Sequence, residues 1–347
     1  MPFRLLFRWL SLERFDMAID LGTTNTLIYA RNKGIVLEED SMVALERDTG
    51  KLISAGKDVK KMLGRTPNEI LIVRPMSDGV IADFRVVEEM LRFFIEKVVK
   101  KRLFIKPRVS VAVPSGITSV EKRAVINSLE ESGTREVYLV SEPIAAALGV
   151  GLPVKAPSGS MIIDVGGGTT EIAVIAMSGI VNNVSIRIAG NELDDAIQTY
   201  MYDKYNVAVG MVTAEDIKKR IGSAHPSIEN EEMEVRGRDL IAGMPTKVNI
   251  SSEEVREAMK EPLGLIRNAI KKALSETPPE IASDIVEKGL TLTGGGALLK
   301  GIDQMIFEST GIRVTISEDP LRCVVKGAGM ILEDIDAYRE LLMDPAC

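Results

Sequence analysis

The chain has 347 residues, of which 45% are apolar and 27% charged, with a net charge of −7. That length exceeds one ordinary core and predicts two domains. The acidic balance excludes a general nucleic-acid binder, two cysteines exclude a disulfide framework, and no apolar run reaches the ~18–20 residues of a membrane span.

In chain order, the first segment (Met1–Leu12) has a helical pattern in which Arg4, Arg8 and Ser11 share one narrow face. Phe3, Leu5, Leu6, Phe7, Trp9, Leu10 and Leu12 cover the rest. This suits a helix lying in a membrane interface; the alternative is a terminal helix docked on the protein body. Arg8 interrupts the apolar stretch and no small-residue cleavage site follows, so a signal peptide does not fit.

Met17–Tyr29 reads as a hairpin whose turn is Asp20-Leu21-Gly22-Thr23-Thr24-Asn25. Glycines let consecutive N–H groups approach phosphate oxygens, the threonines add donors, and a strand-end aspartate suits a hydrated Mg²⁺. A helix falls within Val80–Lys101, then Lys97–Arg108 gathers six basic residues around Leu103-Phe104-Ile105. The stretch reads either as a membrane-facing loop or as a helix end followed by an edge strand. A strand at Pro107–Pro114, a helix at Ser119–Ser132 and a strand at Val137–Val140 lead to Glu142. That carboxylate precedes a helix expected to begin at Pro143, and it either caps the helix or orients and deprotonates a water. Gly151–Gly159 reads as a linker.

The pattern then recurs. Met161-Ile162-Ile163 leads into Asp164-Val165-Gly166-Gly167-Gly168-Thr169-Thr170-Glu171, and Gly179-Ile180-Val181 echoes Gly34-Ile35-Val36 with an offset ascribed to one extra residue in the second turn. Two copies of strand, turn and strand predict a duplicated α/β fold clamping a polyanion. Helices are expected at Glu192–Tyr205 and Ala214–Ile221, strands within Glu229–Ile250, and one helix over Ser252–Glu276. On its own the charged helix bearing Glu215 and Lys218 reads as a solvated surface. Thr291–Leu299 reads as a strand, a third glycine turn and the start of a helix, whose N-terminus can face a phosphate. From Pro320 the chain is expected to return to the first half, and His225 reads as a surface residue.

Together these motifs resemble the actin, Hsp70 and sugar-kinase superfamily, and within it the MreB family of bacterial actin homologues. The resemblance spans about Ile19 to Leu332 and includes Met62–Pro67, Arg74–Met76, Asp78–Asp83, Pro278–Ile285 and Val324–Leu332. It implies an actin-like fold of two duplicated RNase H-like domains, each with a smaller subdomain, around a nucleotide cleft. The implied layout is a membrane-binding segment over 1–16, domain I over 17–151 plus 320–347 (small subdomain about 34–82), and domain II over 152–319 (small subdomain about 190–252). It further implies ATP and Mg²⁺, with Asp20 and Asp164 holding the metal through water. Gly22, Thr23, Thr24 and Asn25 would cradle one side of the phosphates and Gly166, Gly167 and Gly168 the other. Glu142 and Thr169 would position the attacking water. Glu215, Asp216, Ile217 and Lys218, with Gly294, Gly295, Gly296 and Ala297, would bind the adenosine. Many family members carry Ala in place of Thr24, a change between small side chains.

The function implied is a membrane-associated filament that maintains rod shape by organising cell-wall synthesis, with slow ATP hydrolysis as a timer. Protofilaments would pair antiparallel through segments holding Val120 and Asp194. Residues 1–12 and Leu103 and Phe104 would meet the inner membrane, and MreC and RodZ are implied partners. The implied location is the cytoplasm, at the inner face of the plasma membrane. The alternatives are a small-molecule kinase of the same superfamily, for which the chain offers no catalytic aspartate beyond the phosphate motifs, and an Hsp70-type chaperone, for which too little sequence follows Leu332.

Overall fold

The computed structural model describes residues 15–99 and 106–344. Nearly all of the expected N-terminal membrane segment lies outside the described residues, as do Leu103 and Phe104. Among the described residues no helix is long and apolar enough to cross a membrane.

Strands β1 (Met17–Leu21), β2 (Asn25–Ala30) and β3 (Gly34–Asp40) form an antiparallel meander. A small sheet of β4 (Val43–Glu46), β5 (Leu52–Ala55) and β6 (Ile70–Val73) follows, then the short pair β7 (Met76–Ser77) and β8 (Val80–Ile81). Strands β9 (Arg108–Val113) and β10 (Glu136–Ser141) return parallel to β1, giving the order β3-β2-β1-β9-β10. The second half repeats this plan. β11 (Ser160–Val165), β12 (Thr170–Ala176) and β13 (Gly179–Ile186) meander, and β14 (Val207–Ala208), β15 (Glu232–Asp239) and β16 (Pro245–Ser251) form a second small sheet. β17 (Leu290–Thr293) and β18 (Val314–Ile316) then run parallel to β11, so the order is β13-β12-β11-β17-β18. Strand order and direction match in the two sheets, so the duplication expected from the paired turns is present.

Parallel strands need crossover helices, which cover the sheet faces and make the central strands apolar on both sides. Every residue of β11 is accordingly buried. Helix Phe84–Val99 lays Met90, Leu91 and Phe94 into the first core with Ile19, Val111 and Leu139. In the second core, Ile163 and Val174 meet Ile197, Ile217 and Ile266 from three helices. Between the sheets, helices Glu142–Gly149 and Cys323–Glu333 cross through small residues, Ala145, Ala146 and Ala147 against Gly327 and Ala328. The crossing is backbone against backbone. A Cβ on Gly149 would lie 1.9 Å from the Cys323 carbonyl oxygen, and one on Gly327 would lie 1.8 Å from that of Ala145. Beyond this helix the chain touches both halves: Met343 N donates to Leu139 O at 2.9 Å, and Lys155 Nζ donates to Ala337 O at 2.6 Å.

Three expectations need correcting. The two glycine turns are of equal length, since Leu21 pairs with Thr26 and Val165 with Thr170. The offset between the copies arises later, where β12 outlasts β2 and the return turn to β13 is shorter than that to β3. The helix expected over Ser252–Glu276 is two, Ser252–Ala258 and Lys260–Ser275. Pro262 lacks the N–H that would bond to Ala258, and its ring crowds that carbonyl. The cap is Ser251, whose Oγ accepts from Glu254 N at 3.3 Å while the Glu254 carboxylate accepts from Ser251 N at 2.8 Å. Finally, helix Glu142–Gly149 begins at Glu142 itself, with Ser141 at the cap position.

Candidate functional site

Both turns close in the same way. Gly22 N donates to Asn25 O at 3.1 Å, and Gly166 N to Thr169 O at 2.9 Å. Each is braced from outside. The Ser41 hydroxyl donates to Gly22 O at 2.7 Å, and Ser41 N to Thr24 O at 2.8 Å. The second turn rests on the start of helix Gly190–Tyr205, where Asn191 N donates to Gly167 O at 2.8 Å. The turns then face one another. A Cβ on Gly167 would lie 1.9 Å from Thr24 Oγ1, and one on Gly168 would lie 2.9 Å from Thr23 Oγ1.

A third element, unassigned from the sequence, enters this junction. Asp78 (φ 52°) and Gly79 (φ 77°) form the two-residue turn between β7 and β8, the left-handed geometry that an Asp-Gly pair favours. Gly79 N donates to Thr23 Oγ1 at 3.0 Å, and a Cβ on Gly79 would lie 2.8 Å from the Thr169 methyl. The Asp-Gly dipeptide signals the turn; only the fold shows that it touches both glycine turns.

Acidic groups gather beneath. Asp20 and Asp164 are the penultimate residues of β1 and β11, and Glu171 pairs with Asp164 across the strands. Burial pushes Asp20 up to about 7. Burial, then the charges of Asp20 and Glu171, push Asp164 up to about 7. Glu142 is raised well above 4.5 by burial, then by Asp20, Glu171 and Asp164. Like charge thus adds to burial at Asp164 and Glu142. Thr24 Oγ1 is buried without a hydrogen-bond partner among the described residues. This donor and charge set fits a hydrated divalent cation with a polyanion. Among the described residues no three His, Cys, Asp or Glu side chains are grouped to hold a metal directly.

The third glycine turn abuts the same strand end. Gly294 (φ 81°) packs so closely that a Cβ would lie 2.2 Å from Asp164 Oδ1, and a Cβ on Gly296 would meet Val165 Cγ1 at the same distance. Gly295, Gly296, Ala297 and Leu298 form a 3₁₀ turn, and the α-helix expected at this point starts only at Ile302.

Helix Met211–Ile221 splits its four expected contacts between faces. Glu215 and Lys218 point toward the cleft. Asp216 pairs outward with Arg220 at 2.8 Å, and Ile217 is fully buried in the core. Residues three apart share a helix face whereas 216 and 217 do not, so these two side chains are removed from the expected contact set. Glu215 reaches across to the first half, 2.8 Å from Lys60, whose Nζ also lies 3.1 Å from Asp40 Oδ1. Burial alone would raise Glu215, but Lys219 and Lys60 outweigh it and hold it at about 2. Lys218 Nζ donates to Gly190 O at 2.5 Å and pairs with Asp194 at 2.8 Å. Asp194 is 6% exposed, whereas Val120 is 72% exposed.

Comparison with known proteins agrees with this architecture. The MreB/Mbl protein family model matches residues 14–340. The cell shape-determining protein MreB of Escherichia coli K12 is 51% identical over 329 residues, covering 93% of this chain and 94% of that one. The crystal structure of MreB 5 of Spiroplasma citri bound to AMPPNP superposes with a TM-score of 0.90 at 38% identity, covering 94% and 98% of the two chains. The MamK double helical filament matches with a TM-score of 0.79 at 21% identity, covering 93% and 99%, a likeness of fold. Two copies of one sheet, joined through crossing helices and meeting at paired glycine turns, are the actin-like fold, and the chain belongs to the MreB/Mbl family.

Proposed function

We propose that the chain is an ATP-binding, actin-like filament protein that determines cell shape at the inner face of the plasma membrane. The observation that carries this reading is the meeting of two alike turns, one from each sheet, over the carboxylates of Asp20, Glu142, Asp164 and Glu171, of which the last two are buried. Its relatives point the same way: the E. coli protein is named as cell shape-determining, the S. citri structure holds AMPPNP, and MamK forms a filament. Residues 17–151 with 320–347 and residues 152–319 would be the two domains around the nucleotide.

Gly22–Asn25 and Gly166–Gly168 would bind the phosphates from opposite sides through backbone N–H groups. Mg²⁺, held through water by Asp20 and Asp164, would neutralise phosphate charge. Glu142, with its raised proton affinity, would take a proton from a water positioned with Thr169. Glu215, Lys218 and Gly294–Ala297 would contact the adenosine. Hydrolysis would be slow, a timer on the filament. Self-association would use the face carrying Val120, membrane contact residues 1–12 with Leu103 and Phe104, and MreC and RodZ would be partners in wall synthesis.

Negative-stain microscopy on anionic lipid monolayers tests this. Paired filaments with Mg-ATP and none without nucleotide are expected, and Glu142→Ala should keep filaments while abolishing phosphate release. Monodisperse particles in both conditions would overturn the filament reading. Deleting residues 1–12, or changing Leu103 and Phe104 to Asp, should each weaken cosedimentation with vesicles; unchanged binding in both would remove the membrane assignment.

A further inference from the structure

Glu171 is 1% exposed, and both of its carboxylate oxygens are occupied. Ser185 Oγ, on the neighbouring strand β13, donates to Oε1. Ser115 Oγ donates to Oε2 at 2.5 Å, and it comes from the other half, in the segment between β9 and helix Ser119–Glu131. The two hydroxyls therefore differ in one respect. Ser185 is fixed to Glu171 by the strand ladder, where the two residues are direct partners, and this contact persists whatever the halves do. Ser115 stays on Glu171 only while the first half lies against the second.

The surroundings make the distinction matter. Glu171 is the cross-strand partner of Asp164, and Ser115 follows Pro114, which packs beside Gly79 at the junction of the two turns. Bonding a hydroxyl to a buried carboxylate is worth more than an ordinary hydrogen bond, and leaving that carboxylate half-satisfied is unfavourable. Separation of the halves at this point would strand one oxygen of Glu171 until water entered.

We propose that the Ser115–Glu171 hydrogen bond is a latch across the cleft that holds the halves closed on a bound nucleotide and slows its release. The inference rests on the nucleotide reading above, and it makes Glu171 and Ser115 positioning residues rather than groups that touch the reacting atoms.

The two serines supply a matched test. Ser115→Ala and Ser185→Ala each remove one hydroxyl from the same carboxylate, but only the first severs a contact between the halves. Dissociation of a fluorescent ATP analogue is measured by stopped flow at protein concentrations below the filament threshold, with thermal melting as a folding check. Ser115→Ala should release the analogue about tenfold faster, the change expected for a hydrogen bond to a charged group. Ser185→Ala should stay within about twofold of the original chain, and Ser115→Thr, which restores the hydroxyl, should recover the slow rate. Equal acceleration by both alanine variants would show a local effect on Glu171 and overturn the latch, as would an unchanged rate in Ser115→Ala. An original chain that binds no nucleotide would overturn the functional reading itself, a result distinct from either of these.

Discussion

Replacing Asp164 with Asn should stabilise the nucleotide-free protein while removing its response to Mg-ATP. Asp164 is 8% exposed, and burial followed by the charges of Asp20 and Glu171 raises its carboxyl from 3.8 to about 7. A rise of that size corresponds to about 4 kcal/mol against the ionised form in the folded chain. Below pH 3.8 the carboxyl is protonated whether the chain is folded or not, and no penalty exists. Between that pH and about 7 the unfolded chain ionises while the folded one does not, so the penalty grows with pH and is complete above about 7. Asn carries no such penalty. The variant should therefore gain about 4 kcal/mol near pH 8 and about 2 kcal/mol near pH 5. For a chain of this length each kcal/mol moves Tm by about 1–2 °C, so melting should rise by about 5 °C and about 2 °C respectively. Calorimetric or fluorescence melting at the two pH values reads both. Adding Mg-ATP should reverse the order near pH 8, because ligand binding stabilises only the original chain. A variant that melts no higher than the original near pH 8, or whose gain is the same at both pH values, would refute the argument that burial and like charge govern this site.

Other perturbations separate the forces elsewhere in the molecule. Gly327→Val would drive a side chain into the Ala145 carbonyl, where even a Cβ lies 1.8 Å away; a cost of more than about 3 kcal/mol is expected, read as loss of soluble protein. Arg108→Met removes guanidinium bonds of 3.0 and 2.6 Å from Asp16, which is 2% exposed. Arg31 remains 3.7 Å away, so the expected loss in urea unfolding near pH 7 is about 2 kcal/mol. Burial alone would raise Asp16, but Arg108 outweighs it and lowers the carboxyl, so this stabilisation is present above 3.8 and fades as pH falls through the lower folded value. Lys60→Met breaks the bridge from Asp40 to Glu215; nucleotide exchange should quicken several-fold at low salt, and the difference should shrink as salt screens the partly exposed charges.

The duplicated plan was legible because phosphate-sized turns demand a narrow chemistry, and Asp, Gly and Thr recur there in order. The offset between copies was misplaced, since a longer strand and a shorter return turn leave the same arithmetic as an inserted glycine. Pro262 announced the helix break at Met259, but the apolar periodicity on either side of it was read as continuous. Ile217 sits between Glu215 and Lys218 in sequence yet on the opposite face in space, so a contiguous motif overstated the contact set. Ser115, Ser185 and Glu171 carry no joint signal along the chain. Their meeting depends on β12 lying beside β13 and on one half resting against the other, a relation that only the folded molecule contains.

The crossing of helices Glu142–Gly149 and Cys323–Glu333 behaves as a rivet. With peptide groups in direct contact at Gly149 and Gly327, no side chain lies between them to be compressed or to swing aside. Such a contact would let the halves rotate about this point, once the contacts across the cleft released, while resisting sliding or being drawn apart, since close-packed interiors forfeit contact energy on even slight separation. Displacement in a riveted pair grows with distance from the rivet. A small angular change, nearly silent where the helices touch, becomes appreciable travel at the remote rim formed by Lys60 and Glu215. Leverage of this kind would let events around one small molecule reshape the outer surface far from it.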